Sequence, residues 1–196
     1  MWKDISTGIR EGMVQWPGDR RIRITKDLSL EQGEDANVSS IETCVHIGTH
    51  VDAPLHFITN GNDVTKYSLE KLTGTARVIF LPGIEEISIA HLIELEIGEG
   101  DKIIFKTDNS KVNWMMEPFN ERFVALTADA AQYLADCKID LVGIDYLSIA
   151  MPNDNTAVHR KLLENNICIV EGLILNEVEE GLYDFICLPI NIEKCD

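Results

Sequence analysis

Four of the chain's five histidines fall in two segments that carry metal-ligand chemistry. The first is His46-Ile47-Gly48-Thr49-His50-Val51-Asp52-Ala53-Pro54-Leu55-His56. The second holds His159, with Glu171 twelve positions later. Neutral imidazole and carboxylate are the ligands that hold Zn²⁺ and related dications. A catalytic ion of this kind brings the pKa of water from 15.7 towards ~7, so these residue types point to hydrolysis.

The spacing of the first segment restricts its shape. His46, Gly48, His50, Asp52, Pro54 and His56 all occupy even positions and would share one face of a strand. In a straight strand, however, His46 and His50 would stand roughly 13 Å apart. Donor atoms on one zinc lie within about twice the ~2.0–2.1 Å Zn–N bond, so a straight strand fails. A helix would pair i with i+4, but Gly48, Thr49, Val51 and Pro54 oppose it. A bend at Gly48-Thr49 remains, folding His46 back towards His50, with Gly48 free to take a positive φ. His50 and Asp52 then alternate onto one face, and Pro54 aims His56 back at the site. Three ligands from this segment leave a position for water. His159 and Glu171 are available for a second ion, with Asp52 and Glu171 as the candidate bridging carboxylates.

Each residue also has an ordinary reading. His91, alone on an apolar pattern, reads as a core histidine. His159 by itself is equivocal. Glu171 could cap a turn or pair with Arg160, Asp145 could cap the turn that follows it, and Trp16 could be plain core.

The elements that must position these groups are short. Strands are predicted over 4–9, 20–26 (half-buried, from its alternation), 38–46, 76–81, 101–106, 141–145, 167–171 and 183–190. Residues 65–72 suggest a helical turn. Helices are predicted from Ser88 through Glu96, over 128–136 with Thr127 as N-cap, and over 156–165 carrying His159. Trp16-Pro17-Gly18-Asp19 reads as a turn. Strands alternating with helices through the second half indicate an α/β or α+β domain, taken as α/β, with 196 residues forming one unit, 1–196.

Composition narrows the partners. With 33 acidic against 17 basic residues, the net charge is −16, which argues against nucleic acid and anionic membrane. No run approaches the ~18 apolar residues of a membrane span, and no signal peptide is apparent. Cys44, Cys137, Cys168, Cys187 and Cys195 are scattered and odd in number, which fits reduced thiols in a cytoplasmic protein.

The first segment matches every specified position of H-x-G-T-H-x-D-x-P-x-H and resembles the metal-dependent cyclase-type hydrolases. That family includes bacterial kynurenine formamidases (arylformamidases) and isatin hydrolases. Trp16-Pro17-Gly18-Asp19, Asp108-Asn109-Ser110 with Trp114, Gly143 through Ile149, His159 and Glu171-Gly172-Leu173 extend the likeness. The resemblance implies a mixed or barrel-like β core flanked by helices, of the swivelling β/β/α type. It implies two divalent ions, zinc first, with manganese, iron or cobalt also suited. His46, His50 and Asp52 would bind one ion; Asp52 and Glu171 would bridge to a second, held also by His159. His56 would carry the proton and Trp16 would line the substrate pocket. The implied reaction is hydrolysis of a small aromatic amide, N-formylkynurenine to kynurenine and formate, by a homodimer or homotetramer. A cyclic-amide hydrolase of the isatin kind and a non-catalytic metal-binding protein are the alternatives. One departure is the stretch after Cys187-Leu188-Pro189-Ile190, where family members often carry a Gly- and Pro-containing tail.

Overall fold

Near-continuous apolar runs in the second half of the chain become parallel strands buried on both faces, as such runs should. In the computed structural model, which describes residues 1–196, the strands are β1 (Arg23–Leu28), β2 (Val38–Glu42), β3 (His50–Asp52), β4 (Thr73–Leu81), β5 (Lys102–Thr107), β6 (Leu141–Ile144), β7 (Cys168–Glu171) and β8 (Gly181–Ile186). The helices are α1 (Leu69–Leu72), α2 (Ile89–Leu92), α3 (Ala128–Asp136) and α4 (Asn155–Glu164). Six strands form an open mixed sheet in the order β3-β7-β6-β5-β4-β8, not a closed barrel. The four central strands are parallel, and β3 and β8 are antiparallel edges.

Alternation along the strands divides the core into two layers. Ile103, Phe105, Val142, Ile144 and Ile169 pack with Ala130, Ala131 and Leu134 of α3 and with Val158 and Leu162 of α4. Val51, Val78, Ile104, Val170 and Phe185 fill the opposite face. Since Val51 points to that second face, His50 and Asp52 point to the first, where α4 lies. The same alternation puts Glu171 beside Ile169 on the α4 side.

Several predicted elements are shorter than their patterns. The Ser88 helix ends at Leu92, because Leu95 N–H bonds back to the Leu92 carbonyl and tightens the chain. The last strand ends at Ile186, which pairs with Thr73, the first residue of its partner β4. Likewise β2 ends at Glu42 opposite Arg23, which frees the following residues to bend. β1 is exposed along its whole length, not half-buried, because it pairs only with β2 in a separate ribbon. Residues 4–9 form no strand: the Ile5 carbonyl takes one backbone bond from Ile174, but Thr7 N–H goes to a side chain. His91 is a half-buried capping group and not core; its Nδ1 accepts from Ser88 N–H at 3.1 Å. Thr127 stands at the N-cap of α3, yet its hydroxyl donates to the Ile87 carbonyl.

Asp145 proves to be a junction and not a turn cap. Fully buried at the end of β6, it accepts from the backbone N–H and hydroxyl of both Thr107 and Ser110, and from the Asn109 amide. Burial raises its pKa, and these donors oppose the rise. Each buried donor left unpaired costs ~1–3 kcal/mol. Asp145→Ala is therefore expected to lose about 3 kcal/mol or more in urea unfolding of chelator-treated protein. A loss under about 1 kcal/mol would show that the loop repacks around the gap.

Candidate metal centre

The bend required of the first segment is present. Gly48 has φ +59°, and the His46 and His50 ring centroids lie 5.1 Å apart. From His50 the chain enters β3, whose antiparallel register sets His50 opposite Glu171 and Asp52 opposite Ile169. Glu171 closes β7 at the carboxyl end of the parallel strands, where open α/β sheets place their ligand sites. One face of α4 delivers His159 to the same point. Thus β3, β7 and α4 bring together residues up to 121 positions apart: His50 and Glu171 meet at 3.3 Å, and His159 meets Glu171 at 3.2 Å and Asp52 at 3.4 Å.

Hydrogen bonds orient the two inner imidazoles. His50 Nδ1 donates to the Gly48 carbonyl at 3.1 Å, and His159 Nδ1 donates to the Asn155 carbonyl at 2.7 Å. Each ring therefore turns its Nε2 towards carboxylate oxygens. Lone pair facing lone pair is repulsive unless a proton or cation lies between them. Metal-bound histidines are held in just this way, through the second ring nitrogen. His50 Nε2 and Asp52 Oδ2 are buried with no hydrogen-bond partner, an expensive state that a coordinated cation relieves.

Asp52, with none of its surface exposed, is the hub. It lies 2.9 Å from His46 Nδ1 and 3.5 Å from His50 Nε2. Two clusters, His46–Asp52–His56 and His50–Asp52–Glu171, each hold their ligand atoms within 4.8 Å of one another, and Asp52 belongs to both. The residues present thus fit a divalent metal centre. Glu171 does not pair with Arg160, which faces Glu164; it also accepts from Ile149 N–H at 2.6 Å.

The electrostatics agree. Burial alone would lower the pKa of His46 and His159, but Asp52, with Asp196 for His46 and Glu171 for His159, raises them to about 9 and about 10. Burial likewise opposes, and the carboxylates Glu171 and Asp52 outweigh it, in raising His50. The site's negative charge draws protons onto its imidazoles, and a dication satisfies the same field. His56 differs: burial lowers its pKa, and the charges of His46 and His159 add to that against the opposing pull of Asp52 and Glu171.

His56 ends a 3-10 turn, Pro54–His56, and stacks on His46 with centroids 3.9 Å apart. Its neighbour Phe57 stacks on His159 at 4.5 Å. Gly61 underlies this turn, since a Cβ there would fall 2.6 Å from the Pro54 carbonyl carbon. Trp16 makes no ring contact with the imidazoles. It is half-buried, edge-on to Phe119 at 5.3 Å, in an aromatic cluster with Trp114, Phe123 and Tyr146. That cluster reaches the centre through the backbone: the Tyr146 carbonyl accepts from Gly172 N–H at 2.7 Å.

Asp196 was not foreseen. Its carboxylate lies 3.3 Å from His46 Nε2 and 3.5 Å from His56 Nδ1. Nothing in its spacing marks it, because 140 residues separate it from His56. Thr7 was missed as well, although Thr49, its partner, stands inside the histidine segment.

A family profile described as putative cyclase matches residues 3–151. The kynurenine formamidase of Bacillus cereus is 30% identical over 196 residues, spanning all of this chain and 92% of its own. A solved structure described as a potential metal-dependent hydrolase with cyclase activity superposes with a TM-score of 0.87 at 32% identity, covering 99% of this chain and 92% of its own. Isatin hydrolase A from Labrenzia aggregata shares the fold, with a TM-score of 0.78 at 19% identity over 96% of this chain and 88% of its own. On the matched profile and the full-length relatives, the chain belongs to the cyclase family.

Proposed function

We propose that this protein is a metal-dependent amidohydrolase that converts N-formylkynurenine to kynurenine and formate. The observation that carries the reading is the pair of oriented imidazoles, His50 and His159, whose Nε2 atoms face the shared carboxylates Asp52 and Glu171. The full-length likeness to a kynurenine formamidase supports the choice of substrate.

His46, His50 and Asp52 would hold one ion, and Asp52, Glu171 and His159 would hold a second. Zinc suits this set of imidazole and carboxylate ligands, which manganese, iron and cobalt also accept. The bound metal supplies acidified water and an electrostatic partner for charge developing on the carbonyl oxygen. His56 moves the proton. Asp196 facing Nδ1 favours the tautomer with hydrogen there, leaving Nε2 as the base. Water adds to the formyl carbon, its proton passes to His56 Nε2, and the same proton goes to the nitrogen as the C–N bond breaks. Trp16 and Phe119, the half-buried rings of this cluster, offer aromatic surface for the substrate's ring.

A homodimer or homotetramer is part of this reading. Exposed Leu182 and Ile186 on edge strand β8, continued by Leu188 and Ile190, support it. The five free cysteines support a cytoplasmic setting, and no helix is long and apolar enough to cross a membrane.

Side-by-side assays of N-formylkynurenine and isatin test the substrate. The expected result is a kcat/KM at least about tenfold higher on the formamide. The opposite order would assign the site to cyclic amides.

A further inference from the structure

We propose that Thr49 and Thr7 form a hydroxyl latch on the Gly172 carbonyl that positions the metal ligands, an inference that rests on the metal-centre reading above. The β3–β7 ladder has only three paired positions, and its last pair, His50 and Glu171, carries ligands. Ladder ends fray unless something closes them. Here the backbone cannot add another rung, because Gly48 and Gly172 both turn away at positive φ, +59° and +71°.

Side chains supply the missing rung. Thr49 Oγ1 accepts from Thr7 N–H at 2.8 Å and donates to the Gly172 carbonyl at 2.6 Å. Thr7 Oγ1 donates to the same carbonyl at 2.9 Å. Both lone pairs of that oxygen are engaged, and the Thr7 side of the latch is buried. The two backbones come so close that a Cβ on Gly172 would sit 2.0 Å from the Gly48 oxygen. His50 follows Thr49 directly, and Glu171 directly precedes Gly172. A shift at the latch is therefore a shift in the His50–Glu171 separation. The Thr49 and Thr7 hydroxyls bond each other and the Gly172 carbonyl and none of the proposed ligand side chains, so both act as positioning residues.

Valine keeps the shape of Thr49 but removes the donor to Gly172 and strands the Thr7 N–H. Zn²⁺ affinity, measured by competition with a chromophoric chelator, should weaken about 10- to 100-fold in Thr49→Val, the usual effect of losing an outer-shell partner. Thr49→Ser, which keeps the hydroxyl, should return to within a few-fold of wild type. Thr7→Val, outside the ligand segment, should weaken Zn²⁺ binding in the same direction by a smaller factor. In Co²⁺-loaded protein, the visible absorption band should change shape in Thr49→Val and not in Thr49→Ser. Zinc binding within twofold of wild type in both valine variants, or a serine variant as weak as valine, would overturn the latch alone. A wild-type protein that binds no zinc would overturn the metal-centre reading beneath it.

Discussion

Asp52→Ala should remove metal and activity together. Asp52 is the only residue common to both ligand clusters, and it lies within 3.5 Å of His46, His50 and His159. Its pKa is held well below the usual carboxylate value: burial works to raise it, and the hydrogen bonds and charges of the surrounding histidines overcome that. Without it, one carboxylate, Glu171, remains in the buried centre, and bound metal would face the three imidazoles with half the compensating charge. Hydrolysis should fall at least about a thousandfold, the upper range for losing one electrostatic stabiliser. Metal content by plasma mass spectrometry should fall with it. A variant that keeps its full metal complement would show that Asp52 does not bridge.

His56→Ala should separate the two properties. The ring lies close enough to His46 and Asp52 to be counted among ligands by distance alone. Two observations favour a proton carrier. His56 sits on a short turn outside the β3–β7 ladder, and it stacks face to face on His46. Its pKa is also lowered, mainly by burial, while those of His46, His50 and His159 are raised. The variant is expected to keep its metal and lose about 10²- to 10⁴-fold in kcat, the range for a general acid–base group. Loss of metal alongside activity would make His56 a ligand, and turnover within a few-fold of wild type would remove it from the chemistry.

The histidine segment was the most legible part of the sequence. Ligand distances excluded a straight strand; Gly48, the β-branched Thr49 and Val51, and Pro54 opposed a helix; and the bend at Gly48 followed. The central strands and α3 were also readable, since apolar periodicity there reflects burial on the spot. What escaped depends on pairing partners. β8 stops where β4 starts, and β2 stops where β1 starts, and no local pattern records either limit. The exposed β1–β2 ribbon shows that alternation alone does not establish a buried face. Asp196 and Thr7 join the centre from the two ends of the chain through tertiary contacts with no spacing signature. Asp145 looked like a turn cap because its donors, on Thr107 and Ser110, lie 35 or more residues away.

Hydrolysis of N-formylkynurenine by chelator-treated protein, followed while Zn²⁺ is added back, tests metal-dependent amide hydrolysis most directly. The expected result is no turnover without metal, a rise with added zinc, and saturation once the centre is filled. Full turnover by metal-free protein, or none by the fully loaded protein, would contradict it.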